Sequence, residues 1–245
     1  MIPAHRVRGR GPALLLSHGV IESWRSWAEV AEALEDRFTV VSLDGRGRGE
    51  TPAPGPFTYA DLAADVEDLV QHLGLAAFFH AGHSMGGRVA LEHALRFPGR
   101  VRGLAVVSAR AEAPDAAGRA RLRQLAAVAR ERGPGEAIGL WSSPGDPHHG
   151  RVRAISAANP AEGTALALEA IAAAGSLLER LGEIEVPTLV VAGDRDAAYV
   201  RSAELMARAI PGARLHLLEG IGHFPNLEAP AELAALLAGF FGSLR

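Results

Sequence analysis

Six short apolar runs recur along the chain: ALLLSH (13–18), FTVVSLD (38–44), AAFFHAGH (76–83), GLAVVSA (103–109), TLVVAGD (188–194) and ARLHLLEG (213–220). Runs of this length, rich in branched apolar residues, predict strands buried on both faces. Between most of them the period changes to that of a helix. Residues 59–73 place Leu62, Val66, Leu69, Val70 and Leu73 on one side and acidic residues opposite. Stretches 23–34, 85–97, 201–210 and 231–241 follow the same period. Strands alternating with helices predict an α/β fold, a mostly parallel sheet flanked by helices.

The alternation breaks once. Between Ala109 and Val186 no strand pattern occurs, only alanine- and arginine-rich helical sequence punctuated by GPG (133–135), SPGDP (143–147) and NP (159–160). Some seventy residues are too many for a loop. The expected organisation is a core of residues 1–109 and 183–245 with an inserted helical lid over 110–182. There are no internal repeats.

Composition narrows the function classes. At 245 residues and 48% apolar, the chain suffices for one large core. No apolar run approaches the eighteen or so residues of a membrane span. The opening residues lack the apolar run and cleavage site of a signal peptide, so the expectation is a cytoplasmic protein without a membrane partner. Cysteine is absent, which excludes a thiol nucleophile and thiolate metal sites. All 25 basic residues are arginine, so lysine chemistry is excluded too. The arginines are scattered among 28 acidic residues, and no basic face predicts a nucleic-acid partner. His148 and His149 stand together without a carboxylate at ligand spacing, which predicts a solvated loop. Neither a metal nor a cofactor is implied.

The chemistry begins at Gly82-His83-Ser84-Met85-Gly86, where a predicted strand runs through G-x-S-x-G into a predicted helix. That arrangement forces Ser84 into a sharp turn above the carboxyl end of the sheet, with small residues two positions away on either side. A serine hydroxyl needs a base, and a histidine held by a carboxylate supplies one. His223 lies in a loop just past the sixth run, on the same sheet edge as Ser84. Two acids, Asp194 and Asp196, follow the fifth run.

HGVIESW (18–24), DGRGRGET (44–51), GHSMGG (82–87), GDRD (193–196) and GHFPNLEAP (222–230), in that order, resemble the α/β-hydrolase superfamily across nearly the whole chain. The resemblance implies serine-hydrolase machinery in the order Ser, Asp, His. In the family's G-[DE]-x-D pattern the second acid orients the histidine, which here is Asp196; Asp194 would shape the turn. The oxyanion hole would take the backbone N–H of Met85 and of Val20. Each such donor is worth roughly 3 kcal/mol in the transition state. Gly19 allows close approach, and His18 braces its turn. The DGRGRG segment lacks the ending of a phosphate loop and reads as structural.

HGVIESW also resembles the HGFPESW of epoxide hydrolases, which use an aspartate nucleophile and lid tyrosines. Here the position holds Ser84, and Tyr59 and Tyr199 lie outside the lid. Hydroxynitrile lyases of this fold rely on a lysine, absent here. The lid resembles that of 3-oxoadipate enol-lactonases and related carboxylesterases. Its nine arginines against eight acids over 110–182 predict no cationic pocket. Trp24, Trp141 and Phe224 are expected to wall an apolar acyl or alcohol pocket, and Trp27 to face the core. The expected function is hydrolysis of small or medium esters or lactones by a monomer or homodimer. The resemblance leaves open an enol-lactonase proper, a cofactor-free haloperoxidase or perhydrolase, a carbon–carbon bond hydrolase, and a slow-turnover signal receptor.

Overall fold

The computed structural model describes residues 1–140 and 148–244. In chain order its elements are β1 (His5–Gly9), β2 (Ala13–Ser17), a 3-10 turn (Trp24–Trp27), α1 (Ala28–Leu34), β3 (Thr39–Leu43), α2 (Tyr59–His72), β4 (Phe78–His83), α3 (Met85–Arg96) and β5 (Val101–Val107). Helices α4 (Ala116–Arg132), α5 (Pro134–Gly139), α6 (His149–Ala157) and α7 (Ala161–Ala172) follow. After a second 3-10 turn (Leu178–Glu183) come β6 (Thr188–Gly193), α8 (Ala197–Ala209), β7 (Arg214–Leu218), α9 (Pro225–Glu228) and α10 (Pro230–Gly242).

The strands form one sheet in the order β1-β3-β2-β4-β5-β6-β7, parallel except for β1 against β3. Both faces are covered. Leu14 and Leu16 of β2 pack on one side with Trp27, Leu34, Phe38 and Phe241, while Leu15 joins Leu69, Val89 and Val106 on the other. This is why apolar residues run on without alternating. Helix α2 starts at a capping box between Thr58 and Asp61, a device worth about 1 kcal/mol. Among the described residues no helix is long and apolar enough to cross a membrane.

Two strands depart from expectation. β1 is unpredicted because HRVRG carries two arginines and a histidine; as an edge strand it has only one neighbour to satisfy. The run at 213–220 is a strand but not a buried one, since β7 forms the opposite edge and Arg214 to Leu217 are exposed. His149 opens α6 rather than lying in a loop.

β2 pairs with β3 on one side and β4 on the other. The loops leaving β2 and β4 therefore part at the carboxyl edge, the place where open α/β sheets form their crevice. The DGRGRG segment beside it is structural. Asp44 is buried, and its carboxylate accepts from the N–H groups of Trp24 and Glu50 at 2.8 and 3.0 Å. A Cβ at Gly49 (φ +50°) would stand 2.0 Å from that carboxylate.

Candidate active site

Ser84 separates β4 from α3 with φ 51° and ψ −113°, a left-handed conformation for a residue with a side chain. Such a conformation costs of order 1–3 kcal/mol and persists only where the surroundings impose it. They do: Ser84 N–H donates to Val107 O at 2.8 Å, tying the turn to β5. A Cβ at Gly82 would lie 2.2 Å from Gly86 O, and one at Gly86 would lie 2.2 Å from Ser17 O. Only glycine fits on either side of Ser84.

His223 reaches this turn from the loop after β7. Its Nε2 lies 3.2 Å from Ser84 Oγ and its Nδ1 lies 2.7 Å from Asp196 Oδ2. With Nδ1–H directed at the carboxylate, Nε2 is the acceptor for the serine proton. Asp194 does something else, since its Oδ1 accepts from Gly220 N–H at 2.8 Å and ties the loop leaving β6 to the turn leaving β7. The structure thus brings Asp196, not Asp194, to His223. Glycine matters here too, because a Cβ at Gly193 would meet Ile221 O and Gly222 O at 2.3 Å. Burial pushes the His223 pKa below its ordinary value; the Asp196 hydrogen bond opposes this and the neighbouring His83 adds to it. The imidazole is therefore predominantly neutral near pH 7, the form that accepts a proton.

The turn after β2 is held from several directions. His18 Nδ1–H donates to Gly19 O at 2.7 Å, and its Nε2 accepts from Gly45 N–H at 2.9 Å. Arg48 Nε donates to Val20 O, and Asn159 Nδ2 donates to Ile21 O. Val20 N–H and Met85 N–H donate to no backbone carbonyl among the described residues.

Beside Ser84 opens a cavity of about 290 Å³, bounded by Met85, Tyr59, Tyr199 and the apolar face of α4 at Leu122 and Leu125. Trp24 and Phe224 do not line it. The Trp24 ring lies between Arg6 and Arg25, whose guanidinium carbons stand 5.1 and 5.0 Å from its centroid. Phe224 is buried against the rings of His83 and His223. Trp141 lies outside the described residues. Four further groups stand at or beside the site. The Tyr199 ring centroid is 4.2 Å from that of His223, and the phenol is within hydrogen-bonding reach of Ser84. Burial raises its pKa, so it remains protonated. Arg110 stacks on Tyr199 at 4.6 Å and, with Arg88, Arg121 and Glu112, lines the cavity. Glu228 grips the loop around His223, accepting from Gly222 and Phe224 N–H at 2.7 and 2.9 Å. The fourth is Glu22, buried beneath the β2 turn.

A family model described as the alpha/beta hydrolase family matches residues 14–236. The chain is 31% identical over 231 residues to 3-oxoadipate enol-lactonase 2 of Acinetobacter baylyi, covering 89% of this chain and 84% of that one. A thermophilic esterase from Thermogutta terrifontis, solved with malate bound, superposes with a TM-score of 0.92 at 30% identity, covering 98% and 93% of the two chains. The enol-lactonase of Burkholderia xenovorans LB400 superposes with a TM-score of 0.89 at 28% identity, covering 98% and 96%.

Proposed function

The chain belongs to the alpha/beta hydrolase family, and on that premise we propose that it cleaves small or medium carboxylic esters or lactones through an acyl-enzyme on Ser84. The observation that carries this reading is the continuous relay from Ser84 Oγ through His223 to Asp196, at 3.2 and 2.7 Å. Ser84 Oγ attacks the carbonyl carbon while its proton passes to His223 Nε2. The carbonyl oxygen becomes an oxyanion held by Val20 and Met85 N–H. Collapse expels the alkoxide, which takes the proton from His223, and water repeats the cycle to release the acid. Helices α4 to α7 act as the lid over this reaction.

The test is a substrate panel joined to a covalent label. Acetate, butyrate and longer-chain p-nitrophenyl esters and lactones are turned over steadily, and a fluorophosphonate adds to the peptide containing Ser84. A single slow burst that leaves modified protein would support the receptor alternative, and labelling elsewhere would remove Ser84 from the role.

A narrower reading has its own support. Arg88, Arg110 and Arg121 line the cavity with one acid, Glu112; Arg88 is paired with buried Glu92, which leaves two arginines against one acid and a cationic local balance although the lid as a whole is nearly neutral. That lining favours substrates bearing a carboxylate, of the kind an enol-lactonase takes. A dicarboxylate half-ester is expected to exceed its neutral diester in kcat/KM; equal values would return the reading to neutral esters.

The pH dependence follows from His223. Nε2 must be unprotonated to accept the serine proton, and its pKa is displaced downward. The midpoint of the acid limb of ester hydrolysis is therefore expected below pH 6.5. A kcat/KM profile whose acid limb lies above 6.5 would contradict this assignment.

A further inference from the structure

The ESW part of the HGVIESW segment has no place in the mechanism above, yet it opens on Glu22, a buried carboxylate. Glu22 and His83 are 1% and 0% exposed, and Glu22 Oε1 lies 2.8 Å from His83 Nδ1 in a buried ion-pair contact. The opposite ring nitrogen, His83 Nε2–H, donates to the main-chain oxygen of His223 at 2.8 Å. Burial pushes the His83 pKa down and the Glu22 carboxylate more than reverses that, which favours the doubly protonated, charged ring even though Nδ1 and Oε1 meet outside hydrogen-bond geometry. Glu22 holds its carboxyl at a pKa of about 2: burial pushes it up, and His83 more than reverses that. The second carboxylate oxygen accepts from Gly19 N–H at 3.1 Å and Ser26 Oγ–H at 2.8 Å.

One pair thus touches three separate pieces of the site. Gly19 immediately precedes Val20, His83 immediately precedes Ser84, and His223 O belongs to the base itself. Burying two charges is costly, and well-packed apolar residues often stabilise a fold as well or better. A purely stabilising role gives no reason for the pair to end on these three backbone segments.

We propose that Glu22 and His83 are positioning residues that hold the oxyanion turn, the serine turn and the histidine loop in mutual register. This rests on the Ser84 reading above. Register errors of about 1 Å weaken transition-state contacts far more than substrate binding.

The charged groups facing His223 are Asp196, His83 and, beyond it, Glu22. His83 acts on it more strongly than Glu22 does, so neutralising both lets the His223 pKa rise. The test variant is the double change Glu22→Gln, His83→Gln, which leaves no lone buried charge. Its kcat for an ester is expected to fall about 10- to 100-fold with KM within about threefold. Affinity for a trifluoromethyl ketone is expected to fall with kcat/KM, and the acid limb of the pH profile to move up. If, at a temperature where both proteins are folded, only the unfolding midpoint changes, the pair is structural and the proposal fails. If the double variant does not fold, Ser26→Ala is read in its place. About a threefold fall in its kcat at constant KM supports the proposal, and an unchanged kcat overturns it. Should the unaltered protein have no ester hydrolysis dependent on Ser84, it is the underlying reading that falls.

Discussion

Ser84→Ala is expected to lower ester turnover by about 10⁴- to 10⁶-fold, the loss seen when a serine nucleophile is removed from a relay of this kind. A residual rate is expected from the proposed oxyanion donors and the cavity, which the change leaves in place. Alanine keeps the Cβ and therefore the same backbone strain at φ 51°. Only the contact of Oγ with His223 and Tyr199 is lost. The unfolding midpoint is accordingly expected to stay within about 3 °C of the starting protein, and KM within about threefold. Activity near the original level in a purified, folded Ser84→Ala protein would dismiss the nucleophile assignment. Loss of activity together with loss of folding would not separate the two effects, so the unfolding midpoint is measured on the same sample.

What the sequence discloses and what it hides follow from how local each cause is. Ser84 is legible because its constraint lies within five residues: Gly82 and Gly86 are the only residues that fit beside it. Five of the six apolar runs are buried strands because both faces of the sheet are covered. The sixth has the same apolar content at an edge, and apolar content does not distinguish the two. β1 is hidden because its identity comes from pairing with β3, not from HRVRG. That omission misplaces Trp24: without β1 nothing predicts Arg6 over its ring, and the tryptophan reads as a free pocket wall. Tyr199 and Arg110 meet across almost ninety positions, and Glu22 meets His83 across sixty-one. Spacing along the chain carries no signal for contacts of that kind. Glu228 differs, since it sits five residues from His223 within the GHFPNLEAP segment. Its reach back to Gly222 and Phe224 resembles a helix-start cap on α9, a local signal that was available.

The two aspartates of GDRD make the sharpest comparison. Asp196→Asn is expected to reduce kcat/KM by about 10⁴-fold near pH 7. An amide group facing His223 Nδ1 presents an N–H where the carboxylate accepted one, and the ring responds by moving its proton to Nε2. Nε2 then has no lone pair for the serine proton. The imidazolium formed during attack also loses its counter-charge. The geometry of the side chain is preserved, so the loss is one of proton placement rather than of shape. Asp194→Asn keeps an oxygen able to accept from Gly220 N–H, the hydrogen bond by which Asp194 ties the loop leaving β6 to the turn leaving β7. Its kcat/KM is expected to stay within about threefold, with any cost appearing in the unfolding midpoint, within the ±0.5 kcal/mol or so usual at exposed positions. Measuring both variants on one ester decides the role, because the opposite order of losses would transfer the orienting function to Asp194. Equal, small losses would leave His223 acting without a carboxylate, which the 2.7 Å contact with Asp196 speaks against.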